Sequence, residues 1–121
     1  MRNLSLVGMM LVAGCATSMT VEQFYTTFPD YSTSRYLTGA EAKAATQNGS
    51  CILIDDHIYN APIGMTVNQD VANGAEGVDG IVANDGGNAY RISDFSWLEI
   101  GDGNGSTQLR IEFDTYLCDS P

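Results

Sequence analysis

Asp55-Asp56-His57 is the place in this 121-residue chain where carboxylates and an imidazole stand close enough for acid–base or metal chemistry. In an extended segment Asp55 and His57 point one way and Asp56 the other, so at most two of the three converge. His57 is the only histidine, which removes the two-histidine zinc sites. The tripeptide is therefore read as an exposed polar patch, with no metal. A second stretch, Asp102-Gly103-Asn104-Gly105-Ser106, puts oxygen-bearing residues at positions one, three and five of a calcium loop. The match then fails: position six is Thr107 instead of glycine, position twelve is Phe113, and Glu112 comes one place early. A hairpin turn accounts for the segment better. Gly86-Gly87-Asn88-Ala89-Tyr90 follows a helical pattern and does not link a strand to a helix, as a dinucleotide loop requires. There is no G-x-S-x-G, no P-loop and no paired serine and lysine motif. With no nucleophile in view, neither enzymatic activity nor a cofactor is expected.

The N-terminus reads as a processing signal. Arg2 gives a positive start, Leu4 to Ala13 is apolar and uncharged, and small residues precede Cys15. Ten apolar residues rise only about 15 Å as a helix, roughly half a bilayer core, which is too short to span a membrane. Val12-Ala13-Gly14-Cys15 resembles the lipobox of bacterial lipoproteins. The resemblance implies a signal peptide over 1–14, cleavage before Cys15, and lipid on the Cys15 thiol, with several acyl chains together giving stable attachment. Ala16 after the cysteine implies the outer membrane, with the body facing the periplasm. Residues 15–37 are then the lipidated N-terminus and tether, and 38–121 a single small domain.

From Cys15 onward, four basic residues (Arg35, Lys43, Arg91, Arg110) stand against fifteen acidic ones, a net charge of −11. That balance argues against a nucleic-acid partner and against an electrostatic hold on anionic lipid.

With Cys15 assigned to lipid, Cys51 and Cys118 remain as an even pair bound for an oxidising compartment, where a disulfide is the default. Leu109 to Cys118 alternates as a half-buried strand, with Leu109, Ile111, Phe113, Thr115 and Leu117 on the inward face. Cys51 to Tyr59 is a second strand, with Ile52, Ile54 and Ile58 expected inward and Cys51, Leu53, Asp55, His57 and Tyr59 outward. One cysteine opens its strand and the other closes its own, so the two meet only if the strands run antiparallel.

Between them, Thr66 to Asp85 carries apolar residues at helical spacing, a capping box of Thr66 and Gln69, and a stop at Gly86-Gly87. Gly74, Gly77 and Gly80 fall along one side, as close packing on a sheet would ask; a broken or partly frayed helix is the competing reading. Asn88 to Ile100 is a strand whose parity changes, which a bulge near Ser93-Asp94 would reconcile. Thr38 to Gln47 offers a short helix, while Val21 to Phe28 reads as a strand or an adherent segment. The fold class expected is α+β: a small, mainly antiparallel sheet of split β-α-β type, strand order 1-3-2, with one helix on one face.

Cys51, the alanine- and glycine-rich helix, two strands and the terminal cysteine are similar, in element order and composition, to the small disulfide-bearing α+β envelope lipoproteins of the Rcs stress-sensor type. Two such cysteines can make one disulfide where that sensor has two, so its signalling role is not carried over. The function expected is that of a non-enzymatic, outer-membrane-anchored lipoprotein whose domain binds an envelope protein or peptidoglycan. The alternative is an acidic inhibitor of a basic envelope hydrolase such as lysozyme. Tyr59 and Tyr116, with His57, are the candidate partner surface if they share an outer face near the disulfide. If the N-terminal segment covers that face, they form a second small core.

Overall fold

Three threonines start three helices. In the computed structural model, which describes residues 19–101 and 106–119, Thr20 caps α1 (Val21–Tyr31), Thr38 caps α2 (Gly39–Gln47) and Thr66 caps α3 (Val67–Asn84). Each threonine hydroxyl accepts from the backbone N–H three residues on, a contact that contributes about 1 kcal/mol. Gln23 and Glu41 reach back to complete capping boxes on α1 and α2. On α3 the Gln69 amide donates to Asn73 instead. Residues 1–18, with the signal-like stretch and Cys15, lie outside the described residues, as do positions 102–105 of the glycine loop. No helix among the described residues is long and apolar enough to cross a membrane.

The class is α+β, but the sheet is larger than expected. It has four strands: β1 (Arg35–Tyr36), β2 (Cys51–Asn60), β3 (Ala89–Glu99) and β4 (Thr107–Cys118). Their order is β1-β3-β4-β2, so the three-stranded 1-3-2 arrangement is corrected by a short strand at the far edge. β1 joins β3 in parallel, pairing Arg35 with Ala89 and Tyr36 with Tyr90, whereas β4 runs antiparallel to both β3 and β2. One helix was expected on the sheet and a short one, Thr38 to Gln47, upstream of it; there are three, on both faces. Alternation along β4 explains this: Thr115 and Tyr116 are both buried, on opposite sides of the sheet.

The larger core lies where α1 and α3 cover the face carrying Leu109, Ile111 and Phe113. α1, inside the segment 15–37 expected as tether, is part of it. Phe24 and Phe28, four apart on α1, are fully buried, Phe24 stacked on Phe95 at 3.8 Å and Phe28 edge-on to Tyr90. Burial pushes the Tyr90 phenol far above its ordinary pKa, and its hydroxyl shares a 2.6 Å hydrogen bond with Ser32. Asp79 of α3 accepts from the N–H groups of Thr33 and Ser34, fixing the turn after α1.

α3 packs close where its glycines allow. A Cβ on Gly74 would stand 2.7 Å from Ile111, and one on Gly77 would overlap the Tyr59 ring. Gly80 has open space beside it, so close packing does not extend to that residue. The helix ends at Asp85 and Gly86, whose φ of +78° suits glycine.

On the opposite face α2 covers one end only, burying Leu37, Ala42, Ala45, Ala89 and Tyr116 with the Cys51–Cys118 disulfide. The bridge closes a separation of 67 residues between directly opposed positions with Cα atoms 3.9 Å apart. In the chain-entropy picture such a loop contributes on the order of 4 kcal/mol. β3 slips register between Ile92 and Asp94, the expected bulge.

β2 also slips, between Leu53 and Asp55, and this overturns its expected inward face. Ile54 becomes the extra residue and the parity of everything after it reverses. Asp55, His57 and Tyr59 therefore share the face of Thr115, Phe113 and Ile111. Ile52, Ile54 and Ile58 are 64, 38 and 56% exposed, while Cys51 is buried. Leu117, expected inward, is exposed as well. α3 has ended beside Thr115, so the last pair on its face, Ile52 and Leu117, has no helix over it.

Candidate functional site

β2 is the outer strand of the sheet. It hydrogen-bonds with β4 on one side, and among the described residues no strand pairs with its other side. Folded proteins blunt such an edge with charge and bulges. Here the bulge at Ile54 and the adjacent Asp55 do so locally: Asp55 Oδ1 accepts from the Asp56 N–H at 2.8 Å. Either side of that point the edge is apolar and exposed, with Ile52, Leu53 and Ile54 before it and Ile58 after it.

Asp56 and Ile58 turn to the half of the sheet that α2 leaves open. With Ser93, Glu112 and Asp114 they line a shallow concavity of about 280 Å³. Arg91 pairs with Asp114 at 3.4 Å and Arg110 with Glu112 at 2.8 Å. Neither Asp55 nor Asp56 has an Arg or Lys partner among the described residues. The edge thus keeps two uncompensated carboxylates at its midpoint.

On the covered face, the parity reversal brings β2 to the C-terminal end of α3. His57 Nε2 lies 2.7 Å from Asp85 Oδ2, and Thr115 donates its hydroxyl to the same oxygen at 2.7 Å. The hydroxyl of Thr115, then the contact with His57, hold the Asp85 carboxyl below its ordinary pKa. The His57 ring stacks on Phe113 with centroids 5.5 Å apart and planes 27° apart, which fixes its orientation. Asp55, His57 and Asp85 each offer one donor atom, all within 4.8 Å of one another. Thr115 is bonded to Asp85, not to an imidazole nitrogen, so the trio is not ordered as nucleophile, base and orienting acid.

The aromatic residues singled out from the sequence do not form one patch. Tyr59 lies half-buried over Gly77 on the α3 face, beside His57 in register. Tyr116 is on the other face, 5% exposed, and burial raises its phenol pKa. It belongs to the small core under α2, so it is withdrawn from the surface. His57 and Asp55 do share a face, as their spacing suggested, through a parity that the bulge had first to reverse. Cys51 and Cys118 are bridged. Cys15 and the calcium-like positions Asp102 and Asn104 lie outside the described residues.

Asp85 and Thr115 were not legible as partners of His57. Thr115 carried one available signal: a hydroxyl on an otherwise apolar strand face must find a hydrogen-bond partner when buried. Compared with known protein families, curated proteins and solved structures, the chain matches none.

Proposed function

We propose that the chain is an envelope lipoprotein, attached to the outer membrane through lipid on Cys15 and facing the periplasm, whose non-enzymatic α+β body holds a partner protein along the outer edge of β2. One observation carries this reading: a ten-residue strand that, among the described residues, is paired on one side only, with Ile52, Leu53, Ile54 and Ile58 exposed along it. Strand addition at such an edge draws affinity from main-chain hydrogen bonds and selectivity from alternate side chains.

The occupant is an extended segment with basic residues among apolar ones. Among the described residues Asp55 and Asp56, at the middle of the edge, have no Arg or Lys partner, and the chain carries a net charge of −10. A second copy is a poor occupant, because antiparallel pairing of β2 with itself sets these carboxylates against their own copies. The same acidity supports a second reading, in which the partner is a basic envelope hydrolase such as lysozyme and the edge inhibits it.

The test joins a mass measurement to a crosslink. The full chain, recovered from a bacterial membrane fraction, begins at Cys15 with added acyl mass. A photoreactive residue at Ile58 captures one protein through a segment containing Lys or Arg, and that segment as a synthetic peptide binds with salt-sensitive affinity. An unmodified chain in the soluble fraction rejects the anchor. Capture from Glu76, on the exposed side of α3, with none from Ile58, rejects the edge.

A further inference from the structure

The three donors gathered by β2 and the end of α3 go beyond what partner binding needs. We infer that Asp55, His57 and Asp85 form a binding site for a divalent transition-metal ion of the zinc class.

Geometry supports this first. Asp55 and His57 are two apart on one strand face, so a rigid backbone aims both side chains the same way. Asp85 comes from a different element, the C-cap of α3, and closes the set to within 4.8 Å. Donors around a tetrahedral ion with bonds of about 2.0–2.2 Å stand roughly 3.4 Å apart, so the ion takes the place of the proton between His57 and Asp85, which open by under an ångström from 2.7 Å, while the widest pair closes by about an ångström. Asp55 is exposed and can supply that movement.

Charge and support fit as well. Two carboxylates neutralise a divalent cation, and the carbonyl end of α3 adds negative potential at the same point. The imidazole selects zinc-class ions over magnesium or calcium, which prefer oxygen alone. Thr115 holds Asp85 and the Phe113 ring holds His57, the outer support that orients ligands in metal sites. With His57 and Asp85 side chains 25% and 15% exposed, the site is open to an ion from solution.

Because His57 is the only histidine, its imidazole nitrogens give an unambiguous magnetic-resonance signal. The full chain, disulfide intact, is titrated with Zn²⁺ and then with Ca²⁺ while that signal is followed. The expected result is a shift that saturates at one Zn²⁺ per chain and is absent with Ca²⁺. Asp55→Asn and Asp85→Asn each weaken binding about tenfold or more, and Glu76→Gln leaves it unchanged. Asp55 is exposed, so its variant keeps the test valid if Asp85→Asn perturbs folding. An imidazole signal unmoved by millimolar Zn²⁺, or a His57→Gln chain that binds Zn²⁺ like the wild type, overturns the site.

Discussion

Ile52 and Leu117 stand directly opposite each other across β2 and β4, both exposed, one position inside the buried Cys51–Cys118 bridge. Alternation puts the bridge under α2 and this pair on the face that α3 has already left. Replacing both with serine removes an apolar patch without opening the core. The expected change in stability, read from urea unfolding, is within about 0.5 kcal/mol. Ile111→Ala, at a fully buried position on the same strand, loses about 2–5 kcal/mol. A double serine variant as damaged as Ile111→Ala would show that the patch is covered.

Gly80 and Gly87 respond to alanine in opposite directions. Nothing lies within 4 Å of a Cβ at Gly80, so Gly80→Ala gains helix propensity, about 0.5–1 kcal/mol. At Gly87 the added carbon falls 2.6 Å from the Tyr116 carbonyl oxygen, a backbone atom that cannot swing aside. Gly87→Ala loses about 1–3 kcal/mol. Thermal unfolding of the two variants side by side reads the sign of each.

Removing the bridge tests its share of the stability. Cys51→Ala with Cys118→Ala loses on the order of 4 kcal/mol, enough in a domain this small to lower Tm by about 15 °C or more. Reductant has the same effect on the wild type and none on the double variant. Equal Tm values with and without reductant would mean that the bridge does not form.

Alkali should unfold the protein through Tyr90. Burial raises its folded pKa above the ordinary value of 10.0, so the folded state keeps a proton that the unfolded chain gives up. Its contribution is fully present below pH 10.0 and declines as pH rises above that value toward the raised pKa. Tyr90→Phe loses the hydrogen bond to Ser32, about 1 kcal/mol at neutral pH, and flattens the alkaline decline. Urea midpoints measured between neutral and strongly alkaline pH separate the two effects.

Much of this fold was legible, and the failures have physical reasons. α3, the β3 bulge and the antiparallel cysteine strands announce themselves because capping residues, a change of parity and an even cysteine pair are local signals. α1 was missed because Val21, Tyr25, Thr26 and Thr27 favour strands, masking the Thr20–Gln23 box and the four-residue spacing of Phe24 and Phe28. The face of β2 was misread because Cys51 to Ile54 is apolar at both parities, and only pairing with β4 decides which residue is extra. In the site, the shared face of Asp55 and His57 follows from spacing. The arrival of Asp85, 28 residues from His57, is a product of how α3 docks.

The bridge between Cys51 and Cys118 also governs which exchanges the outer strand can make. At its other end β2 is held by the Ala61 N–H bonded to Leu109 and by Gln108 bonded to Ala61. Pinned covalently at one end and by hydrogen bonds at the other, β2 can accept a neighbour but cannot be handed to a second molecule while the sulfurs stay joined. Swapping of this strand between chains, the usual hazard of an exposed edge, therefore waits on reduction.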